Sequence, residues 1–142
     1  MSQTQTPTSF WKGEPEVMAY TPGSQVYAGD VVVINGGVFI VYPNDIPMTA
    51  DRSVVTAVGT LARRGGRWIG PKKASEALAV NDAIYWDSAG DPSGGTAGTG
   101  AFTRVASGHI LSGIVTKAAV AADTTVEFAF GSAAGNVANT TS

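Results

Sequence analysis

The feature that most constrains the fold is a pair of apolar runs, residues 30–34 and 38–42, separated by Asn35-Gly36-Gly37. Asn-Gly or Gly-Gly between two apolar runs predicts a tight β-hairpin, because the turn needs residues that accept positive φ. The first run is continuously apolar from Val31 to Ile34, which is typical of a strand covered on both faces. The sequence therefore predicts a hairpin that lies inside a β protein.

Further short strands separated by turn residues are expected along the rest of the chain. The predicted strands are residues 16–20, 30–34, 38–42, 54–64, 67–69, 83–86, 101–105, 110–117 and 124–130. The last has the clearest alternation, with Val126, Phe128 and Phe130 on one face. Arg64-Gly65-Gly66-Arg67 predicts a second hairpin turn, and only residues 73–80 could form a helix, of one or two turns. This pattern predicts an all-β fold, a small β-barrel or sandwich, with at most one short helix.

Part of the pattern occurs twice. Residues 80–87 repeat the order of a turn residue, an Asp and a β-rich run that begins at Gly29-Asp30. The second copy needs a longer hairpin loop, and residues 88–99, rich in glycine and small polar residues, supply it. The repeat is consistent with an internal duplication.

Three segments are predicted: an N-terminal arm at residues 1–14, a β domain at 15–131 and a flexible C-terminal tail at 132–142. The arm begins polar and ends with Phe10 and Trp11. Burying each aromatic is worth roughly 1.5–3 kcal/mol, whereas ordering each arm residue costs about 1–2 kcal/mol. Two outcomes stay open: the aromatics become ordered against a partner, or they fold back on their own domain.

Composition excludes several classes of function. The chain has 142 residues, of which 14% are charged, against about 25% in average globular proteins; such a surface hints at assembly. A net charge of −2 argues against general nucleic-acid binding. The absence of cysteine and the single histidine exclude the usual metal sites. No run approaches the ~20 apolar residues of a membrane helix, and the first nine residues do not resemble a signal peptide. We therefore expect no metal, cofactor or membrane, and synthesis in the cytosol.

Catalytic equipment is not evident. His109 would have to be the base of any nucleophilic pair, yet no elbow motif presents a serine, so it is interpreted as an edge or turn histidine. Asp82 and Asp87 fall on opposite faces of one predicted strand, which does not suit a pair of catalytic carboxylates. An enzyme is therefore not expected.

One cluster of basic residues has no acid within it; it comprises Arg63, Arg64, Arg67, Lys72 and Lys73. It could form a contact patch for an acidic partner surface or a neighbouring subunit. The alternative, which we favour, is a solvated hairpin tip that protects a sheet edge from aggregation.

The order of short motifs resembles a known family. Residues 26–33, 59–71, 79–87 and 113–128 carry the resemblance, most specifically in Gly29-Asp30 before a strand and in Tyr85-Trp86-Asp87. Together they resemble the small capsid cement, or head decoration, proteins of tailed bacteriophages and prophages. The similarity extends over residues 13–130.

The resemblance implies a non-enzymatic β protein that binds the major capsid protein on the outer surface of the phage head, commonly as a homotrimer. It implies that the arm contacts the capsid, by strand addition. The residues assigned to that contact are Thr8, Ser9, Phe10, Trp11 and Lys12. The main alternative is a carbohydrate- or receptor-binding module of a phage tail or surface structure, which exposed Trp68, Tyr85 or Trp86 in a groove would favour.

Overall fold

The structure is a computed structural model. It describes residues 5, 8–13, 15–20, 26–27, 29–34, 36–41, 54–55 and 59–131. For some strand residues, among them Ser9, Lys12 and Arg63, only the backbone is described. The predicted C-terminal tail, residues 132–142, lies outside the described residues.

Within that part of the chain, the strands form two main antiparallel sheets and a short two-stranded one. The larger sheet contains, from edge to edge, β1 (Ser9–Lys12), β8 (Arg67–Pro71), β12 (Thr125–Phe130), β11 (Ile110–Lys117), β9 (Ala83–Asp87) and β10 (Ala101–Thr103). The smaller sheet contains β2 (Glu16–Tyr20), β7 (Gly59–Arg64), β5 (Gly37–Val41) and β4 (Val31–Ile34). The short sheet pairs β3 (Val26–Tyr27) with β6 (Val54–Val55).

The two main sheets share one hydrophobic core, to which the smaller sheet contributes Val31, Val38, Ile40 and Ala62. In the larger sheet the alternation predicted for residues 124–130 is confirmed, because Val126, Phe128 and Phe130 are all buried. The sheets do not close into a barrel among the described residues, so the sandwich alternative is the one that the protein adopts. An all-β fold is thereby confirmed.

Both hairpins of the predicted repeat form. Strand β4 pairs with β5 across a tight turn in which Gly36 has φ +79° and Ile34 lies opposite Gly37. Strand β9 pairs with β10 across the longer loop. In the smaller sheet, the strand that follows the hairpin in this sheet, β7, pairs with the second strand of the hairpin, β5. In the larger sheet, the strand that follows the hairpin, β11, pairs with its first strand, β9. The hairpins therefore repeat, but the strand order around them does not.

The predicted hairpin turn at Arg64-Gly65-Gly66-Arg67 is wrong. Strand β7 pairs with β2 and β5 in the smaller sheet, whereas β8 pairs with β1 and β12 in the larger one. Gly65 and Gly66, both at positive φ, carry the chain from one sheet to the other. The Gly65 N–H donates to the Phe130 carbonyl at 2.7 Å, and the Phe130 N–H donates to the Gly66 carbonyl at 3.1 Å. The corner is therefore held by the end of β12.

Two further expectations are corrected. Residues 73–80 form no helix. Ser75, at φ +65°, lies in a turn near the start of this segment, and single β-bridges join the segment to other loops, such as the bridge between Leu78 and Ala119. The apolar run of β4 is not covered on both faces, because Val33 is 44% exposed. Val31, two residues earlier and so on the same face, is buried, so the cover of that face ends within β4.

Candidate functional site

One N-terminal segment supplies an edge strand to each main sheet. Strand β1 is the outer strand of the larger sheet and β2 is the outer strand of the smaller one. They follow each other in the chain, and Gly13 lies at the bend between them with φ +100°. We call β1, β2 and this bend the N-terminal edge. It runs along the side of both sheets.

The bend at Gly13 exists because its partner strands bend at the same place. Strands β7 and β8 run antiparallel to β2 and β1, so that Glu16 lies opposite Arg64 and Lys12 opposite Arg67. A Cβ placed on Gly13 would lie 3.0 Å from the Cα of Gly66. A side chain has no room at this crossing of two backbones, and the positive φ also favours glycine.

Buried contacts attach the beginning of this edge to the domain. Thr8 is fully buried, and its N–H donates to the Gly29 carbonyl at 2.9 Å. Phe10 packs edge-on against Trp68, with ring centroids 5.2 Å apart and an angle of 71° between the rings. Of the two open outcomes for the aromatics, the structure therefore shows Phe10 folded back onto its own domain. This part of the predicted arm belongs to the sheet.

Three described apolar side chains of the edge point outward. Trp11 is 53% exposed, and Val17 and Met18 on β2 are 46% and 42% exposed. Val17 and Met18 are neighbours in one strand and so lie on opposite faces; neither face of β2 is covered there by the described residues. Among the described residues, the N-terminal edge therefore combines the outermost strands of both main sheets with three exposed apolar side chains.

Trp11 is among the residues predicted to contact the capsid, whereas Val17 and Met18 are not. A signal existed in Glu16-Val17-Met18-Ala19-Tyr20, which is apolar at four consecutive positions. A strand apolar on both faces requires cover on both faces, yet β2 is an edge strand. Only the exposure of Val17 and Met18 in the folded structure shows that this cover is incomplete.

The predicted basic cluster is divided by the fold. Arg64 and Arg67 are exposed at the corner beside the N-terminal edge, and the Arg64 Nε donates to the Glu16 Oε1 at 2.7 Å. Lys73 is half-buried, and the side chain of Arg63 lies outside the described residues. The structure thus places Arg64 and Arg67, two members of the predicted basic cluster, beside the residues predicted to form the capsid-contacting arm.

Lys72 is not part of any surface patch, because it is fully buried. Its Nζ donates to the carbonyls of Lys73 at 2.8 Å, Glu76 at 2.6 Å and Ala121 at 3.2 Å. Burial lowers the pKa of Lys72, and the negative charges of Glu76 and Asp123 oppose that shift. The ammonium thereby joins two loops through three hydrogen bonds to backbone carbonyls.

The far edge of the larger sheet differs from the N-terminal edge. The residues of β10 are all buried, and the Lys73 N–H donates to the Phe102 carbonyl at 3.0 Å. The segment that contains Lys72 and Lys73 thus covers this edge. Covered edges do not accept another strand, so the larger sheet is open only along β1 among the described residues.

The side chains considered as catalytic candidates, His109, Asp82 and Asp87, contact neighbouring groups of the fold. His109 Nε2 lies 3.3 Å from Asp87 Oδ2, and the other ring nitrogen contacts the Val105 carbonyl at 2.8 Å. Asp82 accepts a hydrogen bond from the Ala79 N–H at 2.8 Å and so holds the turn before β9. Among the described residues, no three metal-ligating side chains come together, and no helix is long and apolar enough to cross a membrane.

An aromatic groove of a glycan-binding module would require exposed rings, and neither Trp68 nor Trp86 is exposed. Trp68 is 0% and Trp86 is 2% exposed, and both belong to the core. Tyr85 is half-buried. Among the described residues, four exposed large apolar side chains lie on edge strands (Trp11, Val17, Met18 and Val33) and three lie in loops (Val80, Val105 and Val120).

These features define a small two-sheet β protein whose distinguishing surface is an open, apolar strand edge. The chain belongs to the phage cement protein family, which matches residues 12–130. Membership gives it a capsid-associated decoration role, in a family of structural proteins. No curated protein and no solved structure matches the chain.

Proposed function

We propose that this protein is a decoration protein that binds the major capsid protein on the outer surface of a phage head and attaches through its N-terminal edge. Its role is structural, not catalytic. Family membership supports the association with a capsid. The geometry of β1 and β2 supports the choice of surface.

The observation that carries the proposal is that one short segment provides open edges of both sheets. A capsid strand that pairs with β1 or β2 would gain backbone hydrogen bonds, and Trp11, Val17 and Met18 would contact its side chains. Arg67 at the corner adds positive charge beside the same surface, whereas the charge of Arg64 is balanced by Glu16; the added charge favours an acidic contact region on the capsid.

Stabilisation of the lattice follows from mass action. A protein that binds only the assembled shell shifts the equilibrium toward that shell. As a homotrimer, the form that we propose, it would engage three capsid sites at once, and the high effective concentration would make weak contacts sufficient. A protein made in the host cytoplasm would add to the head from outside.

The test compares single substitutions on and off the N-terminal edge. Val17→Ser removes an exposed valine from the edge, whereas Val120→Ser removes a valine that is 62% exposed in the turn after β11. Binding to decoration-free cognate capsids is measured by co-sedimentation. We expect Val17→Ser and Trp11→Ser to weaken binding by about tenfold or more, because edge contacts multiply across subunits, and Val120→Ser to bind as the parent protein does.

Two outcomes would count against the proposal in different ways. Equal binding of Val17→Ser, Trp11→Ser and Val120→Ser would show that the protein uses another surface. No saturable binding of the parent protein, and no gain in capsid heat resistance, would contradict the decoration role itself. Point substitutions are preferred to deletion of residues 1–13, because that deletion removes β1 and uncovers Trp68.

A further inference from the structure

Thr8 is the exception among the buried polar side chains of the described residues. The other three, Lys72, Thr103 and Ser112, donate hydrogen bonds to protein acceptors. Among the described residues, no group forms a hydrogen bond with the Thr8 hydroxyl, although this side chain is fully buried. A buried hydroxyl without a partner loses its bonds to water and gains none in return. It therefore weakens the docking of the segment that carries it.

The surroundings of this hydroxyl are apolar. A Cβ placed on Gly70 of β8 would lie 3.1 Å from Thr8 Oγ1 and 2.6 Å from the nearest ring carbon of Phe102. Gly70 thus leaves the space that the Thr8 side chain occupies, beside an aromatic ring of the core. The backbone of Thr8 does find a partner, since its N–H donates to the Gly29 carbonyl at 2.9 Å. The segment is therefore docked, with one unfavourable group inside the contact.

Thr8 leads into a short strand at the edge of its sheet. Among the described strands, β1 pairs with β8 alone, and the register shifts between Phe10 and Lys12. Phe10 packs on Trp68, whereas Trp11 is 53% exposed. The docked strand keeps one backbone edge and the Phe10 ring for its own domain. Released from β8, the same segment would offer both edges and both aromatic side chains to a partner.

We propose that residues 8–12 are a releasable strand, which is docked on β8 in the free protein and leaves it to pair with the capsid protein. This inference rests on the proposed function, because it states what the N-terminal edge does on binding. The unpaired Thr8 hydroxyl lowers the free energy of docking, and capsid contacts must outweigh only the remainder. Gly13, at the bend before β2, has the conformational freedom that a hinge needs.

The role of the hydroxyl is tested with two substitutions of nearly equal shape. Thr8→Val removes the unpaired group, whereas the matched control Thr103→Val removes a hydroxyl that donates to Glu76 Oε2 at 2.9 Å. We expect the protection of the residue-8 amide against hydrogen exchange to rise about tenfold in Thr8→Val. Thr103→Val should instead lower the midpoint of urea unfolding. Unchanged or lower protection in Thr8→Val would show that the hydroxyl does not weaken docking, and would overturn the proposal.

Release also predicts how the same variant binds. If only the released segment binds, the apparent Kd for cognate capsids rises by the factor by which the released fraction falls. Thr8→Val should therefore bind decoration-free capsids about tenfold more weakly, or weaker still, in step with the rise in amide protection. Higher protection together with the binding of the parent protein would show that release is not required, and would overturn the proposal.

A disulfide tests release without a change at Thr8. The chain has no cysteine, and Ser9 lies opposite Ile69 in the ladder of β1 and β8. Opposed residues have Cα atoms about 4.5–5.5 Å apart, within the range that a disulfide spans. The oxidised Ser9→Cys/Ile69→Cys variant should bind capsids about tenfold more weakly or worse, and a reductant should restore binding. The control is Ala83→Cys/Ile114→Cys, an opposed pair of β9 and β11, whose oxidation should leave binding unchanged.

The outcomes of the disulfide experiment separate the two proposals. If the oxidised Ser9→Cys/Ile69→Cys variant binds as tightly as its reduced form, β1 does not leave β8, and release is wrong while the decoration role stands. If the parent protein and the reduced variant both fail to bind cognate capsids, the decoration role is wrong, and release for the capsid fails with it.

Discussion

Phe10 and Trp68 meet edge-on, 5.2 Å between ring centroids, and this contact joins the outermost strand of the larger sheet to the core. Trp68 is fully buried and its Nε1 donates to the Gly65 carbonyl at 2.9 Å. The same indole thus contacts both β1 and the corner between the sheets. The attachment of the N-terminal edge depends on it.

Phe10→Ala should lower the free energy of unfolding by about 1–3 kcal/mol, because it removes a partly buried ring and its aromatic contact. Trp11→Ala is the matched control on the same strand; with its side chain 53% exposed, we expect a change within about 0.5 kcal/mol. Urea unfolding measures both. Equal losses would show that the contact with Trp68 does not hold β1.

Gly13→Ala should destabilise the bend between β1 and β2 by about 2–3 kcal/mol. The new Cβ would meet the Gly66 backbone at 3.0 Å, at a residue with φ +100°. Gly108 also has positive φ, +78°, but nothing lies within 4 Å of its Cβ position. Gly108→Ala should therefore cost only about 1 kcal/mol. A smaller effect at Gly13 than at Gly108, measured by thermal unfolding, would contradict the close crossing.

Lys72→Met should cost about 2–4 kcal/mol of stability, because it leaves three carbonyls without their donor. Lys73→Met, at the adjacent half-buried position, is the control and should change stability by less than about 1 kcal/mol. The two variants differ in burial and not in chemistry. Denaturant unfolding that ranked them equally would refute the role given to the Lys72 ammonium.

The lowered pKa of Lys72 also predicts a dependence on pH. Between the pKa of the folded state and the higher pKa of the unfolded chain, the unfolded chain holds a proton that the folded protein has released. The free energy of unfolding therefore rises with pH in this alkaline window, by at most about 1.4 kcal/mol per pH unit. Subtracting the profile of Lys72→Met isolates the effect. If the difference in the free energy of unfolding between the parent protein and Lys72→Met falls as pH rises, the attraction of Glu76 and Asp123 for the ammonium has a larger effect on the pKa of Lys72 than its desolvation.

Features that depend on neighbours in the chain could be predicted from the sequence. The alternation of Val126, Phe128 and Phe130 identified the buried face of β12, and Asn35-Gly36 identified the turn between β4 and β5. The bounds of β2 and β11 were also predicted correctly. Period and turn chemistry act over a few residues, so one segment contains the information.

The candidate site could be predicted only in part. Trp11 was assigned to a contact surface, and it is exposed; whether it contacts a capsid stays a prediction. Lys72 and Arg67 belong to one run of basic residues, yet Lys72 is buried and Arg67 is exposed. Nothing local distinguishes them, because the carbonyls that surround Lys72 come partly from Ala121, 49 positions away.

The sequence by itself determined that this is an all-β chain of short strands with a tight hairpin near Gly36, since hydrophobic period and turn residues act locally. The tertiary structure alone decided that Gly65 and Gly66 form a corner between sheets and that β1 and β2 are the outermost strands of their sheets among the described residues. An edge is defined by the neighbour that a strand lacks, and strands distant in sequence determine which neighbours it has. For this protein, those edges are the surfaces on which the proposed contacts depend.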